Sequence, residues 1–197
     1  VLMKGEDFNA FIKERWNPEV IILGKWDNYL TQHRLENGVA IDEGRTGSIQ
    51  AFFKEDNQTV YILSEDTIYL NPICRSMFSG FEKLKSVHLN NADASDVTTM
   101  SQMFKDSKVM YGVFADEMKT PKLRFMTEMF QNCSSLHSFS MPNLDTSNVT
   151  NMSNMFANCT KLQKTDFSNF DTTKLVSASG MFKNCGLYTL DLTSFVT

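Results

Sequence analysis

A chain of 197 residues with 42% hydrophobic content is long enough to bury a sizeable core, either as one domain or as a repeat array with a small folded unit attached. Its net charge of −4 lacks the positive footprint that binding to a phosphate backbone requires, so nucleic acid is not an expected partner. No apolar run approaches the roughly 18 residues of a membrane span, and the leading Val1-Leu2-Met3-Lys4-Gly5-Glu6-Asp7 does not make a signal peptide. A start without Met is expected of a processed or trimmed fragment, with any export signal or anchor lying outside it.

From Glu6 to Trp16, the residues Phe8, Phe11, Ile12 and Trp16 recur at helical spacing, and Asn17-Pro18 ends the run, which predicts a short amphipathic helix. Val20-Ile21-Ile22-Leu23 reads as a buried strand. Two β-rich runs, Gly47 to Phe53 and Thr59 to Leu63, flank the polar Lys54-Glu55-Asp56-Asn57-Gln58 and predict a hairpin. Ile68, Tyr69 and Leu70 read as a third strand that feeds into the segment beginning at Asn71. Residues 1–70 are therefore expected to form an α+β capping region.

Beyond residue 70 a period takes over. Met-Phe occurs at Met77-Phe78, Met103-Phe104, Met129-Phe130, Met155-Phe156 and Met181-Phe182, every step being 26 residues. A fixed period of this length marks a repeat architecture. In the copy that opens with Asp145-Thr146-Ser147-Asn148, the apolar residues Val149, Met152, Met155 and Phe156 fall at i, i+3, i+6 and i+7. That spacing, with potential N-capping residues ahead of it, predicts one short helix per copy. The same slots hold Val97, Met100, Met103 and Phe104; Leu123, Met126, Met129 and Phe130; and Leu175, Ala178, Met181 and Phe182. Pro121 and Pro72 stand where a first helical residue tolerates proline.

An alternating run comes after each such segment: Leu84, Val87 and Leu89; Met110, Val113 and Ala115; Leu136, Phe139 and Met141; Leu162, Thr165 and Phe167; and Leu187, Leu190 and Leu192. One short strand per copy, paired in parallel with its neighbours, is the expectation. The predicted fold is α/β, a leucine-rich-repeat-like solenoid of about five repeats over residues 71–197, with one parallel strand and one helix per repeat. A single copy buries six to eight apolar side chains at roughly 1.5 to 3 kcal/mol each, which offsets ordering entropy only when copies stack.

The strings DTSNVTNMSNMF (145–156), NCTKLQKTDFSNFDTTKL (158–175) and NCGLYTLDLTSF (184–195) resemble the BspA-like, Met-Phe type of bacterial surface leucine-rich repeat, a domain-of-unknown-function family. The resemblance covers residues 71–197 and weakens toward the first copy, where Cys74 and Phe81 depart from the pattern. Ile22-Leu23-Gly24-Lys25-Trp26 and Thr46-Gly47-Ser48-Ile49 resemble the segment that precedes such repeats. It implies an exported bacterial protein, extracellular or lipid- or wall-anchored at the cell surface, used in adhesion, with no catalytic residues.

Cys133, Cys159 and Cys185 share one slot and read as a column of buried thiols, with Cys74 in a different slot. No His pair lies at zinc-ligand spacing, so neither a metal site nor a cofactor is expected. His33, His88 and His137 occupy non-equivalent positions. Asp27, Asp42 and Glu43 are the carboxylates a glycoside hydrolase would need, yet nothing fixes their separation. The sequons at Asn57, Asn148 and Asn151 arise from a repeat rich in Asn, Ser and Thr, and the Met column reads as core.

Function is thus left to surface. The outward strand positions, expected on a concave face, are Ser86, His88 and Asn90; Gly112, Phe114 and Asp116; Ser138, Ser140 and Pro142; Lys164, Asp166 and Ser168; Thr189, Asp191 and Thr193. Phe114 is the large apolar residue among them, suited to anchor a partner chain or stack on a sugar ring unless its copy is irregular and turns it inward. The expected function is a non-enzymatic, adhesin-like module that binds a host or neighbouring-cell protein or glycan. A structural spacer without a specific ligand is the alternative, and a carbohydrate-active enzyme ranks third. Because the chain stops at Phe195-Val196-Thr197 without a polar cap, further repeats or a covering chain are expected there.

Overall fold

The computed structural model describes residues 1–26, 35, 37–44 and 47–196. Helix α1 (Gly5–Arg15) buries Phe8, Phe11 and Ile12, carries Glu6 and Asp7 in its first turn and Lys13 and Arg15 in its last, and ends where Trp16 turns extended before Asn17-Pro18. Both charge placements complement the helix dipole. Strands β1 (Val20–Lys25), β2 (Val39–Ala40), β3 (Ile49–Lys54), β4 (Thr59–Ser64), β5 (Ile68–Tyr69), β6 (Ser86–His88), β7 (Ala92–Asp93), β8 (Gly112–Phe114), β9 (Ser138–Phe139) and β10 (Lys164–Thr165) succeed it in chain order.

The larger sheet is mixed, ordered β2-β3-β4-β1-β6-β8: β3 and β4 form the expected antiparallel hairpin, while β1 runs parallel to both β4 and β6, and β6 parallel to β8. Strand β4 is buried along its whole length, as a central strand covered on both faces must be. Strands β5 and β7 form one small parallel pair, and β9 and β10 another. Because β1 pairs with β6, the sheet runs through the expected boundary at residue 70, and side chains from both segments share a single buried cluster.

The expected leucine-rich-repeat-like α/β solenoid, with one helix in every repeat, is not what the chain adopts. No helix lies within residues 71–196, and the strands there are two or three residues long, in mixed and small sheets. The reason is backbone conformation. Each Met-Phe is bracketed by left-handed residues: Ser76, Gln102, Glu128, Asn154 and Gly180 before it, and Gly80, Asp106, Asn132, Asn158 and Asn184 after it, with φ from 54° to 66°. A left-handed residue terminates a right-handed helix, and each non-glycine instance costs roughly 1–2 kcal/mol. The return is hydrogen bonding between copies. Alternate N–H groups, those of Met152, Asn154, Phe156 and Asn158, donate to Ser177, Ser179, Met181 and Lys183 of the next copy at 2.8–2.9 Å, and the N–H groups between them close local turns. The same register recurs from each copy to the next. Asp145, expected to cap a helix, instead accepts the Ser147 N–H at 3.0 Å in a side-chain turn, and Pro121 opens a turn rather than a helix.

Apolar spacing survives this change of conformation, because a run of tight turns also sends every third or fourth side chain inward. Phe78, Phe104, Phe130, Phe156 and Phe182 stack face to face, with centroids 5.0–6.0 Å apart and planes within 13°. Phe8 of α1 closes the stack, meeting Phe78 edge-on at 5.6 Å. The same helix closes the backbone row: Gly5 N–H donates to Ile73 O at 2.9 Å, the Asn9 amide reaches Met77 O and Ser79 O, and Lys13 Nζ donates to Ser79 O at 2.6 Å. A Cβ on Gly5 would collide with the Arg75 carbonyl, so only glycine allows this approach. At the far end Leu187 is half-buried, and Leu190 and Leu192 are 41% and 38% exposed, so this last set does not reach the interior assigned to it.

The thiols of Cys133, Cys159 and Cys185 donate to Phe104 O, Phe130 O and Phe156 O, each at 3.0 Å, and all four cysteines are free. Burial raises their pKa values, that of Cys159 to about 12 from 9.0. Since the folded thiol keeps its proton while an unfolded one ionises, the contribution to stability is whole below pH 9 and erodes toward pH 12. Alkylation of the native protein near pH 8 is therefore expected to modify half-buried Cys185 first and the other three only on unfolding. Fewer than four free thiols in unfolded, unreduced protein would contradict this assignment.

Candidate functional site

The pleat decides which strand residues face outward. Ile21, Val87 and Val113 lie in register and point to the core side, so their neighbours Ile22, His88 and Phe114, also in register, stand on the opposite face. That row continues through Tyr61 on β4 and Phe52 on β3. Phe52, Tyr61 and Leu63 are buried there, with Ile22, Trp26 and Leu35 packed on them. At the β8 end the row is uncovered, and Phe114 is 41% exposed.

Phe114 stacks on His88 with centroids 4.5 Å apart and planes 18° from parallel. Gly112 makes room for this: a Cβ there would stand 3.3 Å from the Phe114 ring, which therefore lies back over its own strand. Burial lowers the His88 pKa, keeping the imidazole neutral near pH 7, and its Nε2 lies 3.3 Å from Ser86 Oγ. The pair is thus an uncharged aromatic platform. Tyr111, 50% exposed at the start of the same copy's strand, adds a further aromatic that the strand alternation overlooked. The available signal was its slot, which Lys85, His137 and Gln163 fill in other copies.

The other expected face residues are not equivalent. Ser86 is buried and unavailable to a partner. Asn90 is exposed beside a shallow cleft of about 270 Å³ that Asn91, Asp93, Ser95 and Glu117 also line. Asp116, Ser138, Ser140, Pro142 and Lys164 are exposed, Ser138 and Lys164 being strand partners. Asp166 and Asp191 lie outside any strand and accept both the backbone N–H and the hydroxyl of Ser168 and Thr193, bonds that hold both carboxyls below their usual pKa. Thr189 is exposed in the last copy, also outside a strand. The structure brings together His88 and Phe114, and leaves Asp166 and Asp191 engaged in their own turns.

The other candidates among the described residues are engaged in local bonds. Asp42 is buried and accepts the Gly47 N–H at 3.0 Å, while Glu43 faces the Asn71 amide at 3.5 Å. His137 is exposed, its Nδ1 2.6 Å from Ser135 O. Asp27, His33 and Thr46 lie outside the described residues. Among the described residues, no group of three or more His, Cys, Asp or Glu is placed to hold a metal ion, and no helix is long and apolar enough to cross a membrane.

Two overlapping stretches, residues 51–138 and 113–197, match the model of a family described as Mycoplasma protein of unknown function, DUF285. No curated protein and no solved structure matches the chain.

Proposed function

We propose, from the premise that this chain belongs to the DUF285 family of proteins of unknown function, that it is a binding module, which meets a macromolecular partner through the uncovered part of its outer sheet face. The observation that carries this reading is the His88–Phe114 stack. A neutral aromatic pair left 41% open at Phe114, with Tyr111 three residues before it in the chain, offers apolar area at little cost in side-chain entropy. The resemblance of 145–156 and 158–175 to BspA-like repeats supports placing the module at a bacterial surface, in an adhesin-like role toward a host or neighbouring-cell protein or glycan.

Phe114→Ala is expected to lower adhesion to host cells, or capture of their surface extract, by about 30-fold, the scale of an aromatic anchor. Joint replacement of Asp166 and Asp191 by Ala should change binding less, because both carboxylates are already occupied by Ser168 and Thr193. Phe114 is exposed, so its removal leaves the fold intact by circular dichroism. Full binding by the Phe114 variant would overturn the assignment of this face. A native chain that captures nothing from such extracts would favour a surface spacer instead.

A further inference from the structure

The bends that carry Met-Phe present a second face, on which the parallel bridges Ile73–Thr99, Thr99–Phe125, Phe125–Asn151 and Asn151–Ser177 hold equal slots of neighbouring copies side by side. Stacking asks for no aromatic in that slot, since the other copies fill it with Ile73, Thr99, Asn151 and Ser177. Phe125 is nevertheless there, 45% exposed, and among the described residues its ring stacks on no other. It lines a shallow cleft of about 370 Å³ together with Arg75, Ser101, Gln102, Thr127 and Glu128. The Glu128 carboxylate is fixed in place. Its Oε2 accepts from Lys105 Nζ at 2.7 Å and from Gln102 Nε2 at 2.9 Å, bonds that hold its pKa below the usual carboxylate range and keep it ionised. Its Oε1 accepts no hydrogen bond among the described residues. The exposed Arg75 guanidinium, whose charge also favours the Glu128 carboxylate, makes no hydrogen bond or ion pair among them either.

We infer that this cleft is a binding site for a neutral pyranose, with the apolar face of the sugar ring on Phe125 and two adjacent ring hydroxyls between Glu128 and Arg75. Charge selects the ligand class. A phosphate, sulfate or carboxylate drawn to Arg75 would meet Glu128, and an ammonium or guanidinium drawn to Glu128 would meet Arg75 and Lys105. A vicinal diol escapes both repulsions, because a hydroxyl donates to a carboxylate oxygen and accepts from a guanidinium N–H while carrying no charge of its own. The C–H face of a pyranose supplies apolar area for an open aromatic ring to bury. Because Glu128 is held before the ligand arrives, binding has few side chains left to order. The volume of the cleft, at the low end for small-ligand sites, suits a single ring. The site shares no residue with the His88–Phe114 face and does not depend on a partner bound there.

Two-dimensional NMR of the 197-residue chain tests this, with methyl β-D-galactopyranoside, methyl β-D-glucopyranoside and methyl α-D-mannopyranoside each titrated to about 50 mM. At least one glycoside should shift the Gln102 side-chain amide and the Thr127 and Glu128 backbone amides, saturating with a Kd of roughly 1–10 mM. Phe125→Ala and Arg75→Gln should each weaken that binding at least about fivefold. Both side chains are exposed, so the variants should keep the native circular dichroism spectrum. Phe114→Ala should leave this binding unchanged. Sodium sulfate should bind the same amides more weakly than the best glycoside. No shift with any of the three glycosides, or undiminished binding in both cleft variants, would overturn the site. Loss of binding in Phe114→Ala but not in Phe125→Ala would move the sugar to the sheet face and overturn it equally. Tighter binding of sulfate than of any glycoside would overturn the neutral-sugar assignment.

Discussion

Replacing Phe104 by Ala should cost about 3–5 kcal/mol of stability, the range for truncating a fully buried phenylalanine. Phe104 has no exposed surface and touches rings on both sides, Phe78 at 5.3 Å and Phe130 at 5.0 Å, so the vacancy would open in the middle of a stack that neighbouring copies hold rigid. Phe182→Ala should cost clearly less, because that ring is half-buried and has a partner copy on one side only. Urea unfolding monitored by near-ultraviolet circular dichroism measures both. Equal losses at the two positions would mean that the stack is not a continuous core.

Asn132→Val is expected to destabilise by roughly 3 kcal/mol, from about 1–2 kcal/mol of left-handed strain and about 1 kcal/mol for each hydrogen bond lost. Asn132 sits at φ 64°, donates to Asp106 Oδ1 at 2.6 Å and accepts from the Asn158 amide at 2.7 Å. Asn132→Gly removes the same two bonds without strain, so it should lose only about 2 kcal/mol. The gap between the two variants isolates the backbone contribution. Were valine tolerated as well as glycine, the left-handed conformation would not be what excludes a helix from the repeat.

The left-handed positions explain why the repeat was legible and its conformation was not. Val149, Met152, Met155 and Phe156 satisfy a helical stripe, yet they satisfy a run of tight turns equally, since spacing reports which side chains go inward and not how the backbone brings them there. The sign of the turns lay in other residues: Asn132, Asn158 and Asn184 recur in one slot, and asparagine tolerates φ near 60° better than most residues. Glu128 and Gln102 in the companion slot carried no such sign, as both are good helix formers. Their conformation is imposed by the stack, which offers each copy four backbone bonds to the next.

At the candidate site the outward position of Phe114 was readable from strand alternation, and the parallel pairing of slots 26 residues apart set His88 beside it. What the order of residues does not say is that the two rings stack, or that Gly112 leaves room for Phe114 to lie back over its own strand. Ser86 shares the outward alternation of His88 yet is buried, its hydroxyl lying 3.3 Å from the His88 imidazole, a difference that alternation by itself does not signal. Leu190 and Leu192 obey the inward pattern and remain 41% and 38% exposed, so alternation by itself does not report burial.

By itself the order of residues determined the 26-residue period, the phenylalanine column and the thiol column, because stacking of equal units depends only on which side chain occupies each slot. The tertiary structure alone decided that each unit is bent by left-handed turns rather than coiled into a helix, and that α1 seals one end of the backbone row. The physical reason is that intrahelical bonds and bonds between copies compete for the same N–H groups, and only a neighbouring copy in place settles that competition.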